Sequence, residues 1–387
     1  MTWTSYFRGR EMNTFVAIFL LSLCPAQASP RIQVPVSFFE PIKKGGSYLP
    51  KKSIDELLYS IRTAEKLFNI KAGACGYQTK ITPQMFKNDD YDELIELGRS
   101  INSPQSAWFI IGPRQSEQYL AISEATKEIP SISPLASIQK VFLLEPTHLT
   151  MAVRNQDLAK QLATEVAAQK GSKKTYISIV QKGCIFCREF KEGFKEAARP
   201  KGIRELTEFL VDSETPDLAS ILPQIESADP GYILLPNRWE VVFQIIQQLN
   251  KLRVHPILLG GDGWGDAVFG ALPFLTSMGR KLDPGVRAIL VRAYPDASTQ
   301  LKKVTSCKLI DECREKPPTH SAGIAYLRIM EKLAELVCKY QPKDYPSFQR
   351  IYNLHAKHVL PRGNAITVNY FKSGEEWITH EVLLEEK

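Results

Sequence analysis

The sequence predicts an α/β protein made of two doubly wound parallel-sheet lobes. Predicted strands and helices alternate in two consecutive series, the first ending with a strand at 130–134 and the second beginning with a helix at 155–171. The strand cores are continuous apolar runs: WFII at 108–111, YILL at 232–235 and PILL at 256–259. Such runs are typical of parallel strands covered by helices on both faces. Two series of this kind indicate two layered lobes.

The first series begins with a strand and an amphipathic helix. The helix is predicted over 51–68, where Leu57 and Ile61 fall on one face at helical spacing. Two more helices are predicted over 90–101 and 116–128. The strands of this series are predicted over 31–39, 70–77, 106–113 and 130–134.

The second series continues the alternation to the C-terminus. Its helices are predicted over 155–171, 188–202, 217–228 and 239–252. Its strands are predicted over 175–182, 204–212, 231–236, 255–262 and 285–294, followed by two C-terminal strands over 365–373 and 376–386. Open α/β sheets bind ligands beyond the carboxyl ends of their strands. We therefore expect a site among the residues that follow 113, 134, 236 and 261.

The composition indicates a soluble globular protein without a nucleic-acid partner. The chain has 387 residues, 44% of them hydrophobic, which is enough for one large or two ordinary domains. The formal charge is +7, but the basic residues are scattered and no basic run is interleaved with aromatic residues. The six histidines form no HExxH-type pair, and no second CxxC accompanies Cys184 and Cys187. We expect neither a metal nor a cofactor.

The N-terminus has the features of a secretory signal peptide over residues 1–28. Arg8 and Arg10 precede an apolar run at 15–23, and Ala26 and Ala28 form an A-x-A cleavage site. The run is too short to span a bilayer, and no later stretch reaches the ~18 apolar residues that a membrane helix needs. We expect a periplasmic protein cleaved after Ala28.

The six cysteines that follow the predicted signal peptide are interpreted on the expectation that the protein is exported. An even number in an oxidising compartment favours disulfides. Cys307 and Cys313 are close enough in sequence to close one surface loop. The CxxC of Cys184 and Cys187 lies between a predicted strand and helix, and we interpret it as a structural disulfide, with a redox-active pair or a metal site as the alternatives. The last two cysteines, Cys75 and Cys338, are a candidate long-range disulfide pair.

The segment LLGGDGWGD at 258–266 follows a predicted strand and combines glycine, tryptophan and aspartate. It does not match the dinucleotide-binding GxGxxG pattern, because Asp266 stands where the last glycine would fall, and no GxxxxGK[ST] phosphate loop occurs nearby. Glycines at this density indicate a backbone that bends or is approached closely.

The order and spacing of motifs over about 105–295 resemble those of the type I periplasmic solute-binding proteins, in the branched-chain amino-acid-binding branch. FIIGPRQSEQYLAISEATKEIPSISPLAS at 109–137 is similar to the family's first-lobe pattern. The stretch from 217 to 264 is similar to the second-lobe pattern, which ends in Gly-Asp/Glu-Gly. YISIVQKGCIFCREFKEGF at 176–194 matches the intervening motif in spacing, with Phe186 where the family usually has tyrosine.

The resemblance implies a pocket for an amino-acid zwitterion. The ligand carboxylate needs hydroxyl and N–H donors, and its ammonium needs an acceptor with a counter-charge; Asp262 matches the family's acidic residue, and Trp264 offers an apolar face. Ser116 alternatively caps a helix, and Asp262 alternatively serves a turn. Arg114, together with Arg238, favours a ligand with an extra acidic group. Ser116, Leu135, Ser137 and Asp262 match family positions, and the full set of predicted ligand-binding residues is Ser116, Leu135, Ser137, Arg238, Trp239, Asp262 and Trp264.

The resemblance also implies the function and the domain organisation. It implies a non-enzymatic receptor that closes two lobes on a small polar solute and presents it to an ABC-type permease or a sensor. The alternatives are a sensory or regulatory protein of the same fold and a CxxC thiol–disulfide oxidoreductase. A three-stranded hinge would join the lobes, the first formed by 30–153 and 293–365 and the second by 154–292 and the C-terminal strands within 366–387.

The signal peptide is tested by the mass of the exported protein. We expect cleavage after Ala28 without lipid, because Leu23 and Pro25 fit a lipoprotein site around Cys24 poorly. Intact mass spectrometry measures the mature chain directly. A chain that starts at Cys24 and carries added acyl mass would contradict the prediction.

Overall fold

The protein is described here by a computed structural model, and its described part has two large sheets with helices around them. The described residues are 31–40, 51–87, 90–212, 216–264, 287–293, 305–315, 318, 321–360, 365–372 and 378–383.

In the first part of the chain, strands and helices alternate as the apolar pattern predicts. In chain order the elements are β1 (Ile32–Gln33), β2 (Val36–Glu40), α1 (Lys51–Gly73), β3 (Tyr77–Gln78), β4 (Ile81–Met85), α2 (Tyr91–Ser100), β5 (Phe109–Ile111), α3 (Ser116–Ala125), β6 (Ser131–Ser133), α4 (Gln139–Phe142), β7 (His148–Thr150) and α5 (Asn155–Ala168).

The second part continues this order and ends with two helices and two strands. The elements are β8 (Thr175–Gln181), α6 (Ile185–Ala198), β9 (Arg204–Val211), α7 (Leu222–Ala228), β10 (Tyr232–Leu234), α8 (Trp239–Leu249), β11 (Ile257–Gly260), β12 (Arg287–Arg292), α9 (Asp311–Glu315), α10 (Ser321–Tyr340), α11 (Tyr345–Val359), β13 (Ala365–Lys372) and β14 (Ile378–Leu383). Short 3-10 turns occupy Arg199–Lys201, Asp262–Trp264 and Thr305–Leu309.

The first lobe is built on a sheet of five parallel strands in the order β4-β2-β5-β6-β7. Every residue of β2 is buried, the polar Ser37 and Glu40 included, as expected of a strand covered on both faces. Strand order reverses at β2, since β4 pairs on one side of it and β5 on the other. This reversal is a topological switch point of the kind that places a ligand crevice at the strand ends.

Two helices from the end of the chain complete the first lobe. α10 packs against α1, and its Tyr326 ring meets the Phe38 ring of β2 edge-on at 4.9 Å between centroids. On α11, Tyr352 packs against Phe109 of β5 at 5.4 Å and donates a hydrogen bond to the carbonyl of Ser131 at 2.9 Å. The first lobe therefore combines sequence from both ends of the described chain.

The second lobe is built on a sheet of seven strands in the order β14-β13-β12-β11-β10-β8-β9. The strands from β8 to β12 run parallel, whereas β13 and β14 are antiparallel to their neighbours. α5 and α6 pack together beside this sheet, with Tyr176 and Phe194 in edge-on contact at 5.1 Å. A second apolar cluster, which includes Ile177, Val242 and Trp264, is formed from β8, α8 and the turn after β11.

The described chain passes from one lobe to the other three times. It leaves the first sheet after β7, returns from β12 to the helices of the first lobe, and crosses again to enter β13. The fold class predicted from the sequence, two doubly wound lobes joined by three connections, is confirmed. The residue-level bounds of the lobes stay a prediction.

Three features of the sequence prediction differ from the structure. The predicted strand at 70–77 is the end of α1 and a turn, with β3 starting only at Tyr77, because Phe68 and Ala72 continue the buried face of the helix. The short strands β4 and β7 were not predicted, since neither has a long apolar run: β4 reads ITPQM and β7 reads HLT. Helices α4, α9, α10 and α11 were also not among the predicted elements.

No helix among the described residues combines the length and the hydropathy that a membrane crossing requires.

Three disulfides lie in the described part of the chain. Cys75 follows α1 and is bonded to Cys338 near the end of α10, across a sequence separation of 263 residues. The other two bonds are local, Cys184–Cys187 at the start of α6 and Cys307–Cys313 between a 3-10 turn and α9. The long-range bond therefore ties together the two segments that build the first lobe.

Removal of these bonds should have unequal effects. In the chain-entropy model a cross-link stabilises by restricting the unfolded chain, and the effect grows with loop length. We expect replacement of Cys75 and Cys338 by serine to lower the free energy of unfolding by about 5–6 kcal/mol, against about 1–3 kcal/mol for Cys307 and Cys313. Guanidinium unfolding of the two double variants measures the difference. Equal midpoints, or free-thiol labelling of the unreduced denatured protein, would contradict this prediction.

Candidate functional site

The carboxyl ends of β5 and β6 in the first lobe lie close to the starts of helices in the second lobe. The contact is direct, since Glu117 at the start of α3 reaches Arg238 before α8 with 3.1 Å between the carboxylate and guanidinium groups. Two of the loops predicted to hold the site, those after 113 and 236, therefore meet between the lobes.

Ser116 and Ser137 link the two strand-end loops of the first lobe. The hydroxyl of Ser116 accepts a hydrogen bond from the backbone N–H of Ser137 at 3.0 Å and from that of Ile138 at 3.4 Å. The Ser137 hydroxyl donates to the side-chain oxygen of Asn155 at 2.7 Å. Leu135, whose N–H donates to Ser133 at 3.4 Å, is half-buried beside them. The structure thus brings the three predicted first-lobe residues together.

Asp262 connects two strand ends of the second lobe. It starts the turn after β11, and its carboxylate accepts a hydrogen bond at 2.7 Å from the backbone N–H of Ala293, directly after β12. Ala293 lies where the chain leaves for the first lobe. The predicted acidic residue therefore stands at the cleft end of the sheet and at one of the three connections.

Trp264 belongs to the core of the second lobe, which corrects the expectation that its ring would face a ligand. The side chain is 1% exposed, and its indole N–H donates a hydrogen bond to the carbonyl of Leu235 at 2.6 Å. The ring packs directly on Gly260, where a Cβ atom would lie 2.2 Å from Cε2 of the tryptophan.

The neighbouring glycines are explained by the same packing. A Cβ atom at Gly261 would lie 2.5 Å from the Phe190 ring, and one at Gly263 would lie 2.5 Å from the backbone oxygen of Asn237. These glycines make room for atoms of the protein itself. The segment at 258–264 is therefore close-packed behind the strand end, with Asp262 as the predicted site residue within it.

The two arginines expected to favour an acidic ligand both have carboxylate partners within the chain. Arg238 pairs with Glu117, and Arg114 pairs with Glu40 at 2.9 Å. Arg238 precedes the first turn of α8, which begins at Trp239, whose side chain lies outside the described part of the structure. A solute that uses either arginine must share it with a glutamate.

Glu40 is a buried carboxylate at the end of β2 that the sequence analysis did not identify. It also accepts a hydrogen bond from the hydroxyl of Tyr326 at 2.6 Å. Complete burial raises the pKa of Glu40, and the Arg114 charge and the Tyr326 hydrogen bond oppose this shift. The cluster joins β2, the loop after β5 and α10, so it supports the strand ends of the first lobe.

Three further polar residues at the cleft, Asn237, Glu189 and Asn155, were not among the predicted site residues. Asn237 is fully buried and joins β8 to β10, accepting from the N–H of Gln181 and donating to the carbonyl of Ile179, both at 2.7 Å. Glu189 on α6 accepts from the backbone N–H of Gln139 at 2.7 Å and from the side-chain amide of Asn155 at 3.4 Å. Burial raises the pKa of Glu189. The sequence signal that could have identified these residues is their polar character within mainly apolar or amphipathic stretches.

The CxxC disulfide is enclosed at the start of α6. Cys184 caps the helix, its sulfur accepting from the N–H of Cys187 at 3.1 Å, and the two residues are 4% and 0% exposed. Val180 and Phe186 pack around the bond. A disulfide with so little solvent exposure is poorly placed for exchange with an external thiol. Within the described residues, no group of three or more potential metal-ligating side chains occurs.

Comparison with known proteins is informative at the level of structure. No protein-family model matches the chain, and no curated protein matches it in sequence. Solved structures, by contrast, match it over nearly the whole length.

Three of these structures illustrate the similarity. A leucine-binding protein from Thermotoga maritima is 14% identical, with a TM-score of 0.68 and coverage of 91% of this chain and 99% of its own. A branched-chain amino-acid transporter substrate-binding protein from Streptococcus pneumoniae, solved with isoleucine, is 11% identical, with a TM-score of 0.67 and coverages of 91% and 100%. A solute-binding protein of an ABC transporter from Rhodopseudomonas palustris, solved with 3,4-dihydroxybenzoic acid, is 15% identical, with a TM-score of 0.64 and coverages of 91% and 96%.

The matches cover nearly the full length of both chains, whereas the low sequence identities limit the comparison to the fold. From its strand order, its three connections and these matches, we conclude that the chain has the type I periplasmic binding protein fold.

Proposed function

We propose that this protein is a solute-binding receptor that captures a small polar solute between its lobes and delivers it to the membrane component of an ABC transporter. The observation that carries the proposal is the convergence of polar strand ends from both sheets at one cleft, in a fold whose solved examples include a leucine-binding protein and a protein in complex with isoleucine. The signal-peptide features at 1–28, which lie outside the described residues, support a periplasmic location.

The proposed mechanism is closure of the lobes around the solute. A solute favours the closed form only to the extent that it binds this form more tightly than the open one. Groups on both sides of the cleft must therefore contact it. On the first lobe we propose Ser116, Ser137 and the Leu135 backbone, and on the second lobe Asp262, Arg238 and Trp239.

We propose a solute that carries a carboxylate, with an amino acid as the leading candidate. The solved neighbours include a leucine-binding protein and complexes with isoleucine and with 3,4-dihydroxybenzoic acid, and all three of these compounds have a carboxylate. An ammonium group on the solute would meet Asp262. Because this carboxylate also accepts from the N–H of Ala293, solute binding would act on a residue that touches one of the interlobe connections.

Two other functions are separable by experiment. A sensory protein of the same fold would bind a solute without serving a permease, and an oxidoreductase would use Cys184 and Cys187. Burial of the disulfide favours the receptor. A Cys187→Ser variant should retain solute affinity if the protein is a receptor, whereas complete loss of disulfide-exchange turnover in this variant would support the enzyme.

Asp262→Asn tests the amino-acid site. Asparagine keeps an oxygen that can accept from Ala293, so folding should be unaffected, but the counter-charge for an ammonium group is lost. We expect amino-acid binding to weaken by about 10- to 150-fold, equivalent to roughly 1.5–3 kcal/mol. The measurement is calorimetry with the solute that raises the melting temperature most in a screen of amino acids and aromatic carboxylates.

Asp212→Asn is the matched control, because this aspartate is an exposed second-lobe residue whose partner, Lys182, is exposed as well. The control should bind like the wild type. If the Asp262→Asn variant is folded and binds an amino acid with unchanged affinity, the proposed role of Asp262 is wrong. A protein stabilised by aromatic carboxylates and by no amino acid would retain the receptor function but exclude an amino-acid solute.

A further inference from the structure

Glu117 reaches from the first lobe to the start of a second-lobe helix. Its carboxylate accepts hydrogen bonds from the backbone N–H groups of Ile185 at 3.2 Å and Phe186 at 3.4 Å, the first two residues of α6. Its other oxygen pairs with Arg238 at 3.1 Å. One first-lobe side chain thus contacts two separate segments of the second lobe.

Glu189 makes the reverse connection. It lies on α6 and accepts from the N–H of Gln139, the first residue of α4 in the first lobe, at 2.7 Å. Asn155, which donates to the same carboxylate at 3.4 Å, also accepts from Ser137. Each lobe therefore places a glutamate on N–H groups at a helix start of the other lobe.

These contacts satisfy groups that otherwise lack a partner within their own helices. The first N–H groups of a helix have no intrahelical acceptor, and they carry the positive end of the helix dipole. Hydrogen bonds from such groups to a carboxylate are charge-assisted and stronger than neutral ones. The Glu117 and Arg238 side chains are only 11% and 21% exposed, so solvent screens their attraction less than that of a surface pair.

The CxxC and an aromatic side chain support the same junction. The disulfide between Cys184 and Cys187 encloses the two residues whose N–H groups reach Glu117 and caps α6 at its first turn. Phe186 also packs against the apolar cluster of the first lobe that contains Tyr119. The motif that suggested redox chemistry thus shapes the surface that the first lobe contacts.

We propose that Glu117 and Glu189 form an interlobe clasp, defined by their contacts to Ile185, Phe186, Arg238 and Gln139, which holds the lobes closed in the absence of a solute. The clasp is an internal contact, so the proposal does not depend on the identity of the solute or on the proposed transport function. It does imply that a solute enters only after the clasp opens. Association of the solute is therefore slowed, because binding requires a conformational change that opens the clasp.

Hydrogen exchange of the clasp N–H groups tests the proposal. The protein is unfolded with its disulfides intact, dialysed and refolded to remove any co-purified solute. Exchange is then followed amide by amide at Gln139, Ile185 and Phe186. We expect protection in the wild type, and exchange about 10- to 100-fold faster in a Glu117→Ala/Glu189→Ala variant, the range that loss of a charge-assisted hydrogen bond allows. Small-angle scattering of the same samples should show a larger radius of gyration for the variant.

Matched control variants lie on the same helices. Glu124→Ala on α3 and Glu196→Ala on α6 remove exposed glutamates away from the clasp and should leave both exchange and radius unchanged. Circular dichroism establishes that each variant is folded. If the double variant does not fold, Glu117→Gln, which retains an acceptor but not the charge, replaces it and should show a smaller increase in exchange.

Measurements on the wild-type protein alone can contradict the proposal. Solute-free protein whose Ile185 and Phe186 amides exchange as fast as unprotected helix-start amides would show that the clasp does not form. Equal radii of gyration for the wild type and a folded double variant would show that the clasp does not hold the lobes. Failure to bind any amino acid or aromatic carboxylate, with the three amides protected, would contradict the proposed function and leave the clasp supported.

Discussion

Parallel strands that are buried on both faces leave one place for polar chemistry, the edge where the strands end. In each lobe the sheet and its helices form a dry core, and the strand ends carry the residues that can meet a solute. Because Glu117 and Arg238 stand at such edges in different lobes and contact one another, the two edges share a cleft. The connections, the candidate binding residues and the clasp all depend on this arrangement of the sheets.

Much of this arrangement could be predicted from the sequence, and the reasons for success and failure are physical. The runs WFII, YILL and PILL identify buried strands because their apolar character is local. The orientation of the Trp264 side chain does not follow from the spacing of residues in the sequence. Its indole packs over Gly260 and donates a hydrogen bond to the carbonyl of Leu235. Glu117 and Glu189 were missed because their partners lie 34 to 121 residues away in the chain. Sequence patterns locate strand ends more reliably than the pairs that form between them.

In the cleft, solute binding and closure of the lobes would compete for the same polar and charged side chains. A receptor needs donors and charges that remain available to a solute, whereas a stable closed form uses such groups within the protein. Here Arg114 and Arg238 face the chain's own carboxylates, and Ser137 is hydrogen-bonded to Asn155. Under the proposed function, a solute would be bound by exchange of partners, and its affinity would be a difference between two sets of similar contacts. Selectivity would arise where the solute replaces the internal partners better than its competitors do.

Both lobes contain segments from the C-terminal part of the chain, and this determines when each lobe can finish folding during synthesis. α1 packs against α10, roughly 250 residues later in the sequence, and β12 is covered at its edge only when β13 arrives from the C-terminal end. Neither lobe can therefore be completed while the last part of the chain is still being synthesised. Such a protein stays incompletely folded until its synthesis is nearly finished, and an incompletely folded chain is the form that can be threaded through a narrow translocation channel.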